Sequence, residues 1–94
     1  MDILYKAPFK KFVKKQTRPF QLVIEDETEK IVNDPEAGEL KKGDLAGFRV
    51  HKFVFQKRQY LVAYKLQYNM IVVYMIGVHE NFYRDLKRYL KEVE

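Results

Sequence analysis

Histidine occurs twice in this chain, at positions 51 and 79, while serine and cysteine do not occur at all. A Ser–His–Asp triad, a cysteine nucleophile, a thiolate zinc site and a disulfide scaffold are therefore excluded together. Neither histidine stands at a ligand spacing such as His-x-x-x-His, so no metal and no cofactor is expected. What remains is acid–base chemistry by an imidazole, with Arg and Lys supplying positive charge.

Each histidine heads a cluster. In Arg49-Val50-His51-Lys52, strand alternation sets Arg49 and His51 on one face and Phe48 and Val50 on the other. With Phe48 and Val50 turned to the helices, Arg49 and His51 face solvent on the open side of a sheet. Lys52 then points to the core side and has to snorkel, sit at an edge or follow a bulge. A solvated sheet face with no ligand also accounts for this cluster. In Gly77-Val78-His79-Glu80-Asn81-Phe82-Tyr83 a strand ends at Gly77 and a helix begins within two or three residues. His79 thus stands near the positive end of a helix dipole, with Tyr83 four residues on along the same side. A capping histidine beside a partly buried tyrosine is the alternative. Both clusters are expected to border one open face, where Arg58, Tyr60 and Lys65 add two cations and a ring. Cations interleaved with aromatics suit phosphate contacts and base stacking on single-stranded RNA.

The elements that position these residues follow from periodicity. Asp2–Lys6 alternates as a short strand, with Ile3 and Tyr5 on one side. Pro8 suits a first helical turn, and Phe9, Phe12 and Val13 then recur at helical spacing, with Lys10, Lys11, Lys14 and Lys15 outside. Pro19 opens a second helix just after Thr17 and Arg18, carrying Phe20, Val23, Ile24 and Ile31, and Asn33-Asp34-Pro35 ends it. Glu36–Asp44 reads as a polar loop. Phe48–Phe55, Gln59–Leu66 and Met70–Gly77 are strand-length, rich in β-branched and aromatic residues, and joined by turns short enough for an antiparallel meander. Phe82, Leu86, Tyr89, Leu90 and Val93 form one face of a C-terminal helix. The expectation is an α+β fold: short N-terminal strand, helical hairpin, three-stranded meander, C-terminal helix.

The 94 residues suit a single domain over 1–94, and 47% hydrophobic with 33% charged residues describes a folded chain rather than a disordered one. The apolar stretch Met70–Val78 is too short to span a bilayer, which takes about twenty residues. No signal peptide is read at the start, so a cytoplasmic location without membrane contact is expected. The net charge of +5 is unevenly spread. Basic regions over residues 1–18 and 45–94 flank an acidic one over 25–44, a distribution that favours polyanionic partners.

Three stretches, Gly43–Phe53, Tyr60–Tyr64 and Gly77–Leu86, together with the element order, resemble the RelE/ParE family of bacterial type II toxins. The resemblance implies a ribosome-dependent mRNA endoribonuclease. In that reaction a ribose 2′-oxygen attacks the adjacent phosphorus and a 2′,3′-cyclic phosphate remains. Carried onto this chain, it implies catalytic roles for His79 (acid–base), Arg49 (phosphate stabilisation), His51 (base or proton shuttle) and Tyr83 (positioning a base). Lys52, Arg58, Tyr60 and Lys65 follow as RNA or phosphate contacts. Leu61 stands where some members have an arginine, and His79-Glu80 replaces the arginine they carry after the last strand. The implied partners are mRNA, the ribosome and a short acidic antitoxin forming a hetero-oligomer with the toxin. Within the same fold, a ParE-like gyrase inhibitor and an inactive binding module are the competing functions.

Overall fold

The computed structural model describes residues 2–93. The chain runs β1 (Asp2–Tyr5), α1 (Ala7–Lys14), α2 (Arg18–Asn33), β2 (Glu39–Leu40), β3 (Phe48–Phe55), β4 (Arg58–Gln67), β5 (Met70–Val78) and α3 (His79–Val93), with a 3-10 turn at Gly43–Leu45 before β3. The α+β architecture expected from the sequence is the one observed.

Each helix begins and ends for a local reason. Pro8 and Pro19 sit in the first turns of α1 and α2, where a missing N–H costs nothing. The Thr17 side chain accepts from the Phe20 N–H as the α2 cap. At the end of α1 the Phe12 and Val13 carbonyls accept the backbone N–H groups of Lys15 and Gln16 and, in addition, the Nε2 groups of Gln16 and Gln21 at 3.1 and 2.8 Å.

The strands lie in the order β1-β5-β4-β3-β2, with β1 parallel to β5 and the remaining neighbours antiparallel. The meander turns on Gln56-Lys57 and Tyr68-Asn69, all four at positive φ, which matches the right-handed twist of the flanking strands. A bulge between Ala63 and Tyr64 shifts the β4–β5 register by one residue.

Helices cover both faces of this sheet. On one, α1 and α2 bury Phe9, Phe20, Ile24 and Ile31 against Phe53, Tyr60, Val62, Tyr64 and Val73. On the other, α3 buries Phe82 and Leu86 against Phe48, Val50, Leu61, Ala63 and Tyr74. This is why β5 is apolar on both sides. Phe48 and Val50 therefore pack under α3, and Arg49 and His51 turn to the hairpin, so the open side of β3 expected for Arg49 and His51 is not found. Glu36–Asp44, read as loop, contains β2, whose Glu39 and Leu40 pair with Val50 and Arg49.

Candidate functional site

The alternation of β3 now fixes where each candidate goes. Arg49 and His51 point to the hairpin, where α2 and the segment after it engage them both. The Arg49 guanidinium donates through Nη1 to the carbonyls of Glu36 and Gly38 at 2.8 and 2.9 Å. His51 Nε2 lies 2.8 Å from Glu27 Oε1, and Glu27 Oε2 accepts from Lys30 Nζ at 2.8 Å. Burial raises the Glu27 carboxyl, but the hydrogen bonds and charges of Lys30 and His51 outweigh it and hold the group below its ordinary range. Tyr60 is buried, with its ring tilted against Phe20 and stacked on Phe53 at centroid distances of 4.9 and 5.5 Å, so it offers no face for a base. The open face expected for Arg49, His51 and Tyr60 is thus a covered one, because the hairpin occupies it. Arg58 is exposed on this side, at the turn end of the sheet.

The other face gathers a different set. Lys52 shares its side of β3 with Val50, lies beyond the apolar cover of α3, and keeps 45% of its side chain exposed with Nζ 3.7 Å from Glu39 Oε1. Glu39 Oε1 also accepts from Lys41 Nζ at 2.8 Å, and that ammonium stands 4.9 Å from the centre of the Tyr83 ring. The hydrogen bond that Lys41 donates to Glu39 chiefly, and Tyr83 next, raise it above the ordinary lysine value, so it stays charged. His79 is the first residue of α3, exposed, with no hydrogen bond or ion pair among the described residues, one helical turn before Tyr83. Lys65 shares this face but sits toward its far end, Nζ 4.5 Å over the Phe48 ring, where it closes the core.

Register supplies the separations. Lys52 pairs with Leu61, and Leu61 with Gly77, two residues before His79. Their backbones are therefore two strand spacings and two residues apart, about 12 Å. Phe53, Tyr60 and Val78 form one row and Arg49, Tyr64 and Val73 another, four β3 residues away. Arg49 consequently lies about 13 Å along the sheet from the row that ends at Val78, the residue before His79, two strands across and on the other face. His79 and Arg49 do not flank one phosphodiester. His79 and Tyr83 open α3, and the Lys41 side chain joins them to Lys52 on the same face, through the Tyr83 ring on one side and Glu39 on the other.

A sequence-family profile described as ParE-like toxin of type II bacterial toxin-antitoxin system matches residues 3–87. The chain belongs to this family. Solved structures agree on the fold of the toxin. A chain of the intact E. coli RelBE toxin-antitoxin complex superposes with a TM-score of 0.65 at 12% identity, over 84% of this chain and 96% of that one. The isolated E. coli RelE toxin superposes with a TM-score of 0.63 at 15% identity, over 94% and 97%. No curated protein sequence matches significantly.

Sequence reasoning missed Lys41 and Glu39, the ammonium over Tyr83 and the carboxylate that ties it to Lys52 on this toxin's α3 face. The signal was slight: Glu39, Leu40 and Lys41 alternate, but across a strand of two residues. No helix among the described residues is long and apolar enough to cross a membrane.

Proposed function

We propose that this toxin cleaves mRNA, on the ribosome, as an endoribonuclease. One observation carries the reading: an exposed imidazole at the start of α3 shares a face with Tyr83, the Lys41 ammonium over its ring, and Lys52 on the facing strand. A base removes the 2′-hydroxyl proton, the 2′-oxygen bonds to phosphorus, and the bond from phosphorus to the 5′-oxygen breaks. The leaving oxygen takes a proton, so the products are a 2′,3′-cyclic phosphate and a 5′-hydroxyl. His79 is the proton carrier at that site. Lys41 and Lys52 oppose the charge that grows on the phosphoryl oxygens, and Tyr83 supports the neighbouring base. The backbone spacing between Lys52 and His79 leaves room for a nucleotide between them.

The partner in this reading is an antitoxin with an acidic segment that covers the cations of the α3 face or displaces α3. A groove of about 630 Å³ between α1 and α2, apolar at Phe9, Val13 and Ile24 and edged by Lys10, Lys14 and Arg18 and also by Glu25 and Glu29, offers a second seat for an amphipathic stretch. Binding of either kind weakens as salt is added.

The test is expression of the toxin without a partner, followed by mapping of mRNA ends. Arrest with new 5′-hydroxyl ends, relieved by His79→Ala in a protein that still folds, supports the reading. Arrest with intact mRNA and accumulating DNA breaks favours gyrase inhibition, a reading that needs no proton carrier. No arrest at all leaves a binding module.

A further inference from the structure

We infer that Arg49, together with its cross-strand partner Tyr64, is a positioning residue that acts through the sheet: it holds the segment before β2 so that Lys41 stays over Tyr83. Arg49 and Tyr64 pair directly across β3 and β4, and both point to the hairpin side. Between them they engage four backbone groups of one short segment. Arg49 Nη1 donates to Glu36 O and Gly38 O. The Tyr64 hydroxyl donates to Pro35 O at 2.7 Å and accepts from the Gly38 N–H at 3.1 Å. Tyr64 is wholly buried, so its end of the clamp cannot drift. A Cβ on Gly38 would fall against the Tyr64 hydroxyl, which explains a residue without one there.

The segment leads straight into β2, whose own sheet pairing is confined to Glu39–Val50 and Leu40–Arg49. Such a strand has little hold of its own, and a charge-assisted pair of hydrogen bonds is a strong addition. Alternation then turns Glu39 and Lys41 through to the α3 face, where they meet Lys52 and Tyr83. Arg49 touches no substrate in this arrangement. It sets the place of a cation that does, and displacements of an ångström or so at such a group cost large factors in rate.

The inference rests on the nuclease reading for its kinetic arm and is independent of it in its structural arm. Cleavage of a single-stranded RNA, with ribosomes present, is compared for wild type, Arg49→Gln, Lys41→Met and the double variant. Ring resonances of Tyr83 are followed by NMR in the same proteins without RNA. The expected result is a loss of about tenfold or more in kcat/KM for Arg49→Gln, no further loss when it is added to Lys41→Met, and a Tyr83 shift in Arg49→Gln toward that of Lys41→Met. Losses that multiply in the double variant, or Tyr83 resonances unmoved by Arg49→Gln, overturn it. If Arg49→Gln fails to fold, Arg49→Lys, which keeps one charged donor, takes its place and should fall between wild type and Lys41→Met on both scales. If wild type cleaves no RNA, the nuclease reading fails alone, and the Tyr83 resonances still decide the positioning role.

Discussion

The two faces of the sheet use the same residue types to opposite ends. Under the hairpin, an arginine, a histidine and a glutamate are paired with one another or with backbone carbonyls, in a setting of stacked aromatic rings. Beside α3, Lys52 and His79 stay exposed and Lys41 is half-buried, and their links are a ring, one carboxylate, or nothing among the described residues. The polar groups under the hairpin are tied to their partners and hold structure together, whereas His79 at the start of α3 has no partner among the described residues and is free to meet a ligand. Residue type alone does not separate the two histidines; the face does.

The largest expected effects test whether the faces are equal as core and unequal as site. Phe82→Ala and Phe20→Ala each remove a buried ring, from the α3 and the hairpin side respectively, and each should cost about 3–5 kcal/mol in denaturant unfolding. Under conditions where both variants remain folded, Phe82→Ala should also impair RNA cleavage, because the ring seats the turn that carries His79 and Tyr83. Phe20→Ala should leave cleavage near wild type. Equal loss of activity in both would erase the distinction.

The histidines sharpen it. His79→Ala should lower cleavage by about a hundredfold or more and shift stability by less than about 0.5 kcal/mol. His51→Ala should do the reverse, costing about 1 kcal/mol while leaving the rate within about twofold, since Glu27 loses one of its two hydrogen-bond partners and keeps Lys30. Unfolding curves and cleavage rates for the pair decide the matter, and a slow His51→Ala with unchanged stability would return that residue to the site.

Why the sequence predicts the elements better than the faces is visible in β3. Phe48–Phe55 is a strand by composition, and its neighbours follow from turns too short for any other connection. Alternation divides it into two sets of side chains but does not say which set meets which helix layer, and both layers here are apolar. The Lys52 side chain shows the ambiguity, since it lies on a core-facing set yet past the end of the cover. Nor does periodicity reveal β2, because two residues cannot display a period, or the parallel pairing of β1 with β5, because a four-residue strand fits either orientation. The turn into α3 is different. Gly77 before a helical stripe marks the junction, and His79 stands at the start of α3 as its position in the sequence implied.

The Gly38 position tests the link between the faces at smaller cost. Gly38→Ala places a methyl against the Tyr64 hydroxyl, which has no room to yield in a fully buried ring. We expect a loss of about 1–3 kcal/mol and a fall in cleavage that tracks the displacement of Lys41, read by unfolding and by the Tyr83 resonances together. Unaltered resonances with lowered stability would make the clamp purely structural.

The smallest effect concerns acid. Glu27 is held below its ordinary value of 4.5, so its ionised form is favoured in the folded state over the unfolded one. A depressed carboxylate contributes stability that is fully present above that ordinary value and is lost as pH falls through the lower, folded one. With its side chain only 13% exposed but its partner Lys30 largely in solvent, the contribution is about 1 kcal/mol or less. Glu27→Gln removes it, so the variant should be less stable than wild type at pH 7, and the gap should close as pH drops below 4.5. Urea unfolding at several pH values between 3 and 7 measures that gap directly. A gap that widens toward acid would mean that Glu27 is strained rather than stabilised against His51, and that the hairpin face carries the kind of unsettled charge assigned here to the α3 side.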